Sequence, residues 1–296
     1  MAHMFEHDHH RHDALAARPL GRAVWFTLGF AVVEAVVGWW AGSLALLADA
    51  GHMVTDSVGL LTAYGAAQLA RRPADGQYTY GFGRVEVLAA ALNALCMVAV
   101  VVAIAWSAVQ RFAHPVAVKG LAVMLVALVG LGVNVCVYFT LRGGTQTLNV
   151  RGAALHVLGD LMGSVAALSA GLVVWLTGWM PIDPLLSLIV CGLLVNSATR
   201  LMRDALDVML ERVPRGLDVR AVGRSMARVA GVKGVHDLHI WTASSDTVAL
   251  SAHVVVEMLA DWERVLPMLK QHLHEAYRIE HVTLQPEPRA TPLHRR

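Results

Sequence analysis

The stretch that decides the fold of this chain reads Ser43-Leu44-Ala45-Leu46-Leu47-Ala48-Asp49-Ala50-Gly51-His52-Met53-Val54-Thr55-Asp56. Its His52 and Asp56 are four residues apart and therefore lie on one face of a helix. The same spacing recurs in a second apolar stretch, at His156 and Asp160. Ionisable side chains at membrane depth are costly, so they usually face the interior of a helix bundle and mark an ion pathway.

Two such pairs, brought together, would offer two imidazole nitrogens and two carboxylates. This donor set suits a tetrahedral divalent cation such as zinc. We therefore predict a metal transport site made of His52, Asp56, His156 and Asp160. Imidazole with carboxylate fits zinc, cobalt, cadmium or nickel better than magnesium or calcium, which prefer oxygen ligands alone.

The composition is that of a membrane protein. Of the 296 residues, 56% are hydrophobic and 16% are charged, whereas soluble domains carry roughly 25% charged residues. The net charge of +2 is too small to indicate a nucleic-acid partner. The cysteines lie in apolar runs without paired spacing, so we expect small buried side chains and neither disulfides nor a thiolate metal site. They are Cys96, Cys136 and Cys191.

Apolar windows of about 20 residues predict six membrane-spanning helices. We place them at 22–42, 44–70, 87–110, 117–141, 151–178 and 182–203. Lys and Arg concentrate in the N-terminal segment, in the second and fourth loops and after the sixth span. Because cytoplasmic loops carry the excess of basic residues, we predict that both termini are cytoplasmic.

The composition becomes polar after about residue 204. Residues 218–230 predict an amphipathic helix, 235–243 and 247–257 predict strands, 261–278 a second helix and 281–287 a last strand. The order αββαβ fits a small two-layer α+β domain of ferredoxin-like type. The predicted domains are a His-rich cytoplasmic tail at 1–21, a six-helix transmembrane domain at 22–205, a cytoplasmic metal-binding and dimerisation domain at 206–290 and an end segment at 291–296.

These residues resemble a known family. Six spans, the stretch from Ser43 to Asp56 and the motif His236-Asp237-Leu238-His239-Ile240-Trp241 look like the cation diffusion facilitators, closest to their bacterial zinc, cadmium and cobalt exporters. The resemblance implies a homodimeric metal/proton antiporter in the bacterial inner membrane that moves metal out of the cytoplasm. Its implied partners are divalent metal ions, protons, membrane lipid and a second copy of the chain, and it has no prosthetic group.

The resemblance also implies roles outside the transport site. His236, His253 and Glu287 match positions that bind metal in the cytoplasmic domain of relatives, where metal is a possible regulator, although Gln285 stands where a relative has His. Arg84 and Glu211 match a charge interlock that ties the membrane and cytoplasmic parts at the dimer interface. The loop around Asp75 lacks the His residues with which some relatives bind a peripheral metal, so we expect no metal site there.

Two further acids lie within the predicted spans. Asp49 precedes His52 by three residues, nearly on the same face, and is better placed to orient the imidazole than to bind metal directly. An entry-side relay is the alternative. Glu34, in the first span, either relays protons or pairs with a neighbouring polar group.

Charge balance supports exchange at the transport site. Two ionised Asp side chains and one divalent cation sum to zero, and so do two Asp side chains with two protons. Metal and proton compete for the same atoms, and either neutral state crosses a low-dielectric bundle more easily than an empty dianionic site.

Other classes of function fit less well. A single buried polar pair can simply fasten helices, but two pairs of the same spacing in separate spans argue against that. An intramembrane metalloprotease would need a His-Glu-x-x-His motif, which the sequence lacks. A gradient-independent metal channel or a membrane metal sensor remains the alternative to an antiporter.

Overall fold

The structure, a computed structural model, describes residues 27–142, 148–244 and 247–289, with side chains except at 137, 140–142, 148–159 and 244. The predicted tails at 1–21 and 291–296 lie outside this range. The described part forms six long helices, as predicted. They are α1 (Thr27–Ala41), α2 (Leu44–Ala70), α3 (Arg84–Ala113), α4 (Gly120–Arg142), α5 (Leu148–Thr177) and α6 (Ile182–Met209).

The six helices differ in the length of their apolar stretches. Among the described residues, four stretches are long and apolar enough to cross one: Leu44–Ala70, Arg84–Ala113, Asp160–Thr177 and Ile182–Met209. Thr27–Ala41 and Gly120–Cys136 are shorter apolar helices. The chain divides into two compact units, one from Met1–Thr62 with Leu92–Arg200 and the other from Ala63–Ala91 with Leu201–Arg296.

The expectation that all three cysteines are buried is wrong for Cys96 and Cys136. Both are exposed, and only Cys191 among the three is buried. In a helix that faces lipid, a small apolar side chain needs no protein core around it, so apolar surroundings in the sequence did not distinguish the two environments.

Glycines set how closely α2 approaches its neighbours. A Cβ added at Gly59 would lie 2.6 Å from Asn93 Nδ2 on α3, and one at Gly51 would lie 2.8 Å from Val100 Cγ1. On the other side, a Cβ at Gly163 of α5 would lie 2.5 Å from Asp49 Oδ1. A larger residue at any of these positions would force the facing side chain to shift, and α2 packs between α3 and α5 around residues 49–59.

The first turn of α2 is anchored by the first turn of α6. Asp183 is fully buried and accepts hydrogen bonds from Ser43 Oγ (2.5 Å), Leu44 N (2.7 Å) and Ala45 N (3.3 Å). A carboxylate at a helix N-terminus satisfies free N–H groups and complements the helix dipole. Arg111, at the end of α3, lies 3.6 Å from the same carboxylate and donates to the carbonyl of Gly42.

Tryptophans surround the same end of the helices. They lie at the ends of α1 and α5 and near the end of α3, and all are exposed: Trp39, Trp40, Trp106, Trp175 and Trp179. Lys119 stacks on Trp40, with Nζ 3.4 Å from the ring centroid. Exposed tryptophans with a basic partner are typical of a membrane–water interface.

The polar C-terminal part forms the predicted αββαβ domain. Its elements are α7 (Val219–Met226), β1 (Val232–Ser244), β2 (Thr247–Val256), α8 (Trp262–Tyr277) and β3 (His281–Pro288). In the described range the sheet order is β1-β2-β3, with β1 antiparallel and β3 parallel to β2. Asp218 caps α7 by accepting from Arg220 N.

The core of this domain follows the alternation of β2. Leu250, Ala252, Val254 and Val256 are buried, while the residues between them are half-buried and face the other side. The buried face packs against apolar side chains of α7 and α8, namely Val222, Met226, Val265, Leu269 and Leu273. The opposite face of the sheet is left for polar side chains.

Candidate metal centres

Three of the four predicted transport ligands come together between α2 and α5. His52 Nδ1 lies 3.2 Å from Asp56 Oδ2, one helical turn away, and His52 Nε2 lies 3.3 Å from Asp160 Oδ1. One ligand atom from each residue lies within 4.8 Å of the others. His156 lies on α5 one turn before Asp160, but its side chain is outside the described residues.

The arrangement is suited to a small divalent cation. The side chains of His52, Asp56 and Asp160 are 11%, 16% and 9% exposed, so a bound cation would lose most of its water. Two anionic carboxylates face one imidazole whose two nitrogens point at different acids. A cation inserted among them would meet both charges, which is the requirement for stabilising a divalent ion in a low-dielectric interior.

Asp49, one helical turn before His52, faces α5. Ser164 Oγ donates to Asp49 Oδ2 at 3.3 Å, and Asn134 Nδ2 donates to Ser164 Oγ at 3.1 Å. All three residues are buried. The structure thus places Asp49 in a polar layer adjoining the predicted transport ligands.

Glu34 is fully buried on α1. Within the described part of the chain neither of its carboxylate oxygens has a hydrogen-bond partner. Its Oε1 faces α4 where Gly130 leaves room, since a Cβ at that glycine would lie 3.0 Å away. The acidic groups that interact electrostatically with the Glu34 carboxyl group are Asp49 and Asp160.

The predicted cytoplasmic ligands also come together, on the polar face of the sheet. His236 and His253 are directly opposite each other on β1 and β2. On β3, Glu287 lies opposite Val255 of β2, and Gln285 lies opposite His253 of β2. Because side chains alternate between faces, His253 and Glu287 lie on one face.

Glu287 bridges the two histidines. Its Oε2 lies 2.8 Å from His236 Nε2, and its Oε1 lies 2.8 Å from His253 Nδ1. The hydrogen bond from His236, helped by the one from His253, holds the pKa of the Glu287 carboxyl below its ordinary value. One ligand atom from each of the three residues lies within 4.8 Å of the others, so the cluster can hold a metal ion.

Asp237 extends this cluster along β1. The register shifts between His236 and His239, and Asp237 has a φ of 49° in the left-handed region. Its Oδ1 lies 3.1 Å from His239 Nε2 and its Oδ2 lies 3.7 Å from His253 Nε2. Carboxylates and imidazoles therefore alternate from His239 to His236.

Arg84 and Glu211 form an ion pair. Arg84 Nη2 donates to Glu211 Oε1 at 2.8 Å, with both side chains about half exposed. Glu211 follows the end of α6 with a φ of 56°, which turns the chain out of the helix. Asp75, in the loop before Arg84, accepts from the backbone N–H groups of Gln77 and Tyr78 and so shapes its own turn.

Three buried polar residues of the helices were not predicted from the sequence: Ser164, Asn134 and Asp183. Ser and Asn are common in apolar helices as interhelical fasteners, so neither stood out alone. Asp183 lies at the beginning of the sixth predicted span, where a charged residue indicates only the end of an apolar stretch. Ser164 follows Asp160 by four residues, and this helical spacing was the available signal that it faces the same side.

Two family models match the chain: the cation efflux transmembrane domain at residues 20–210 and the cytoplasmic domain of cation efflux proteins at 214–289. Zinc transporter ZitB of Shigella flexneri is 42% identical over 100% of this chain and 95% of its own length. The cadmium, cobalt and zinc/H(+)-K(+) antiporter of Bacillus subtilis is 37% identical over 88% of this chain and 86% of its own length. The metal-bound C-terminal domain of CzcD from Cupriavidus metallidurans is 42% identical, covers 24% of this chain and 99% of its own, and has a TM-score of 0.23.

Proposed function

This chain belongs to the cation efflux family, and we propose that it is a homodimeric antiporter that exports zinc, or a related divalent cation, from the bacterial cytoplasm in exchange for protons. It is a secondary transporter and not an enzyme. The observation that carries the proposal is the approach of His52 Nε2 to Asp160 at 3.3 Å, which joins ligands from two apolar helices at a buried point. We assign His156 as the fourth ligand from its position one turn before Asp160.

Alternating access follows from the charges of the site. With metal bound, the charges of Asp56 and Asp160 are neutralised, and with protons bound they are neutralised as well. The empty site is dianionic and surrounded by apolar chain, so its reorientation is opposed by the cost of moving uncompensated charge. Metal release on one side is therefore followed by loading of counter-ions before the site returns. Metal and counter-ion move in opposite directions for this reason.

Both termini are assigned to the cytoplasm. The excess of basic residues in the second and fourth loops supports this orientation. The end of the bundle that bears Asp183 and the exposed tryptophans is then the outer end. Metal enters from the opposite end and leaves past the anchored first turn of α2.

The cytoplasmic cluster is proposed as a regulatory metal site. His236, His253 and Glu287 come from three different strands, so a bound metal would cross-link the sheet and favour the conformations in which the strands keep this register. Arg84 and Glu211 are proposed as the charge interlock near the dimer interface. The geometry of the ion pair supports this role.

The test is zinc uptake into proteoliposomes with an imposed pH gradient. Asp160→Asn keeps the shape of the side chain and removes one charge, so we expect uptake to be lost. Asp218→Asn is the matched control, because Asn caps a helix as well as Asp does and Asp218 lies outside both sites. Since one relative is named for H(+)-K(+) antiport, potassium gradients are tested beside proton gradients.

Each alternative has its own result. Uptake that ignores both gradients identifies a channel. Uptake by Asp160→Asn at the wild-type rate rejects the transport site. Cobalt, cadmium and nickel in place of zinc then rank the substrates.

A further inference from the structure

A second polar layer lies next to the transport site. It contains Glu34 of α1, Asp49 of α2, Asn134 of α4 and Ser164 of α5, so each residue comes from a different helix. Each is buried, with Glu34 fully so. Asp49 precedes His52 by three residues and Ser164 follows Asp160 by four, which displaces this layer by about one turn from the transport site. On both helices the displacement is toward the end that carries Asp183.

The layer is connected but incomplete. Asn134 donates to Ser164 and Ser164 donates to Asp49, so one side of the layer is a hydrogen-bonded chain. On the other side the Glu34 carboxylate lies against Gly130, one turn from Asn134 on the same face of α4. In the described part of the chain it receives no hydrogen bond. A buried carboxylate in this condition requires a positive partner, because an isolated buried charge is strongly unfavourable.

The donor chemistry differs from that of the transport site. Every group in the layer that can act as a ligand is an oxygen, from carboxylate, amide or hydroxyl, and no imidazole or thiolate is present among its described members. Oxygen ligands alone suit hard cations, whereas the transport site contains nitrogen. The two layers therefore differ in the cation that each prefers.

We propose that Glu34, Asp49, Asn134 and Ser164 form a second cation site, which holds the monovalent counter-ion, a proton or an alkali-metal cation, beside the metal site. The proposal rests on the antiport proposed above. Of the groups that face Glu34, Asp49 comes from α2 and Asp160 from α5, while the described contact from α4 is the uncharged Gly130. Two cations this close repel each other. Metal binding at His52 and Asp160 therefore weakens the binding of the monovalent ion beside Glu34, and rebinding of that ion helps to release the metal.

The test measures the ratio of monovalent cations to metal in reconstituted full-length protein. Proton movement is followed with a pH-sensitive dye, and potassium movement with a potassium indicator, with choline replacing potassium in a parallel set. Glu34→Gln is isosteric and uncharged, so we expect about one monovalent cation fewer per metal, because one carboxylate charge is removed. Glu275→Gln, at an exposed position on α8, is the matched control and keeps the wild-type ratio.

A binding measurement covers the case in which the variant does not turn over. Zinc titration of the detergent-solubilised chain, in buffers of different ionisation enthalpy and with a potassium electrode, counts the cations released when zinc binds. The expected result is again about one fewer for Glu34→Gln, with zinc still bound. If Glu34→Gln does not fold, Glu34→Asp retracts the charge by one methylene and is expected to lower the same count.

The outcomes separate the two proposals. A lower proton count identifies the proton as occupant, and a lower potassium count identifies the alkali cation; both support a second site. An unchanged count in the folded variant overturns it, as does weaker zinc binding with an unchanged count per zinc bound. Failure of wild-type protein to move zinc at all would instead reject the antiport function.

Discussion

At the scale of single residues, the proposed transport site has one imidazole placed between two carboxylates. His52 contacts Asp56 within α2 and Asp160 on α5, so the same ring contacts acidic side chains of both helices. The nitrogen ligands determine the class of metal, because imidazole selects borderline cations and carboxylate alone selects hard ones. Selectivity should therefore respond to substitution at His52 alone.

We predict that His52→Asp changes the preferred metal. A third carboxylate makes the site harder, so zinc transport is expected to fall and manganese transport to rise, with a change of about tenfold in their ratio. Uptake of both metals by the same proteoliposomes checks this. His114→Asp, an exposed residue just after α3, is the matched control. An unchanged ratio in His52→Asp would show that His52 is not a ligand.

Glu287 gives a prediction about pH. Its pKa is lowered in the folded domain by the hydrogen bond from His236, so this contact stabilises the fold above the ordinary glutamate pKa of about 4.3 and is lost as the pH falls through the lowered value. We expect Glu287→Gln to lower the unfolding midpoint of the cytoplasmic domain at pH 6. As the pH falls through the lowered pKa, the difference between wild type and variant should shrink. Calorimetry of the full chain with a chelator present measures both.

At the scale of helices and strands, the sequence predicted most elements because each has a simple signal. Apolar windows located the long helices, and alternation located β2 with its buried face at Leu250, Ala252 and Val254. What the sequence did not predict is which helices touch. Contacts such as that of Gly163 with Asp49 depend on three-dimensional packing, and a glycine in an apolar helix gives no indication of its neighbour.

In the candidate sites too, the sequence predicted which residues share a helix face but not which helices are in contact. The spacing of His52 and Asp56 predicted one face of α2, and the structure brings that face to Asp160. The second polar layer was not predicted, because the hydrogen bonds from Asn134 to Ser164 and from Ser164 to Asp49 join three different helices.

Gly163 is expected to control the distance between α2 and α5. A methyl group at this position would lie 2.5 Å from Asp49 Oδ1, so Gly163→Ala should displace the Asp49 side chain or move α2 away from α5, and movement of the helix separates His52 from Asp160. We expect zinc affinity at the transport site to fall by about tenfold or more, since metal ligands tolerate little displacement. Zinc binding measured with His236 and Glu287 replaced isolates this site.

Gly132→Ala is the matched control for that experiment. Its added Cβ would meet nothing within 4 Å, and alanine is the better helix former by about 1 kcal/mol. Wild-type zinc affinity is therefore expected in Gly132→Ala. Equal affinities in both variants would mean that helix spacing at residue 163 does not set the geometry of the site.

At the scale of the whole molecule, the Arg84–Glu211 pair is the contact to which we assign coupling between the membrane and cytoplasmic parts. The pair is half exposed, so its direct contribution to stability is about 1 kcal/mol or less. Its importance would lie in orientation and not in stability. Charge substitution is the way to separate the two.

We predict that Arg84→Glu lowers zinc transport and that the double variant Arg84→Glu with Glu211→Arg recovers it. Like charges at 2.8 Å would repel, whereas the exchanged pair restores attraction with reversed polarity. Transport rate and unfolding midpoint are measured together. A rate that stays low in the double variant, with a normal midpoint, would contradict an interlock based on charge.

The anchoring of α2 by Asp183 has a mechanical consequence. Three hydrogen bonds at its first turn prevent α2 from sliding along its axis, so the motion left to it is a tilt about that fixed point. At 1.5 Å per residue, His52 lies about 12 Å from Leu44, and Ala70 lies about 39 Å away. The helix is then a lever whose far end travels about three times as far as the candidate metal site, so an ångström at His52 becomes about three ångströms at Ala70.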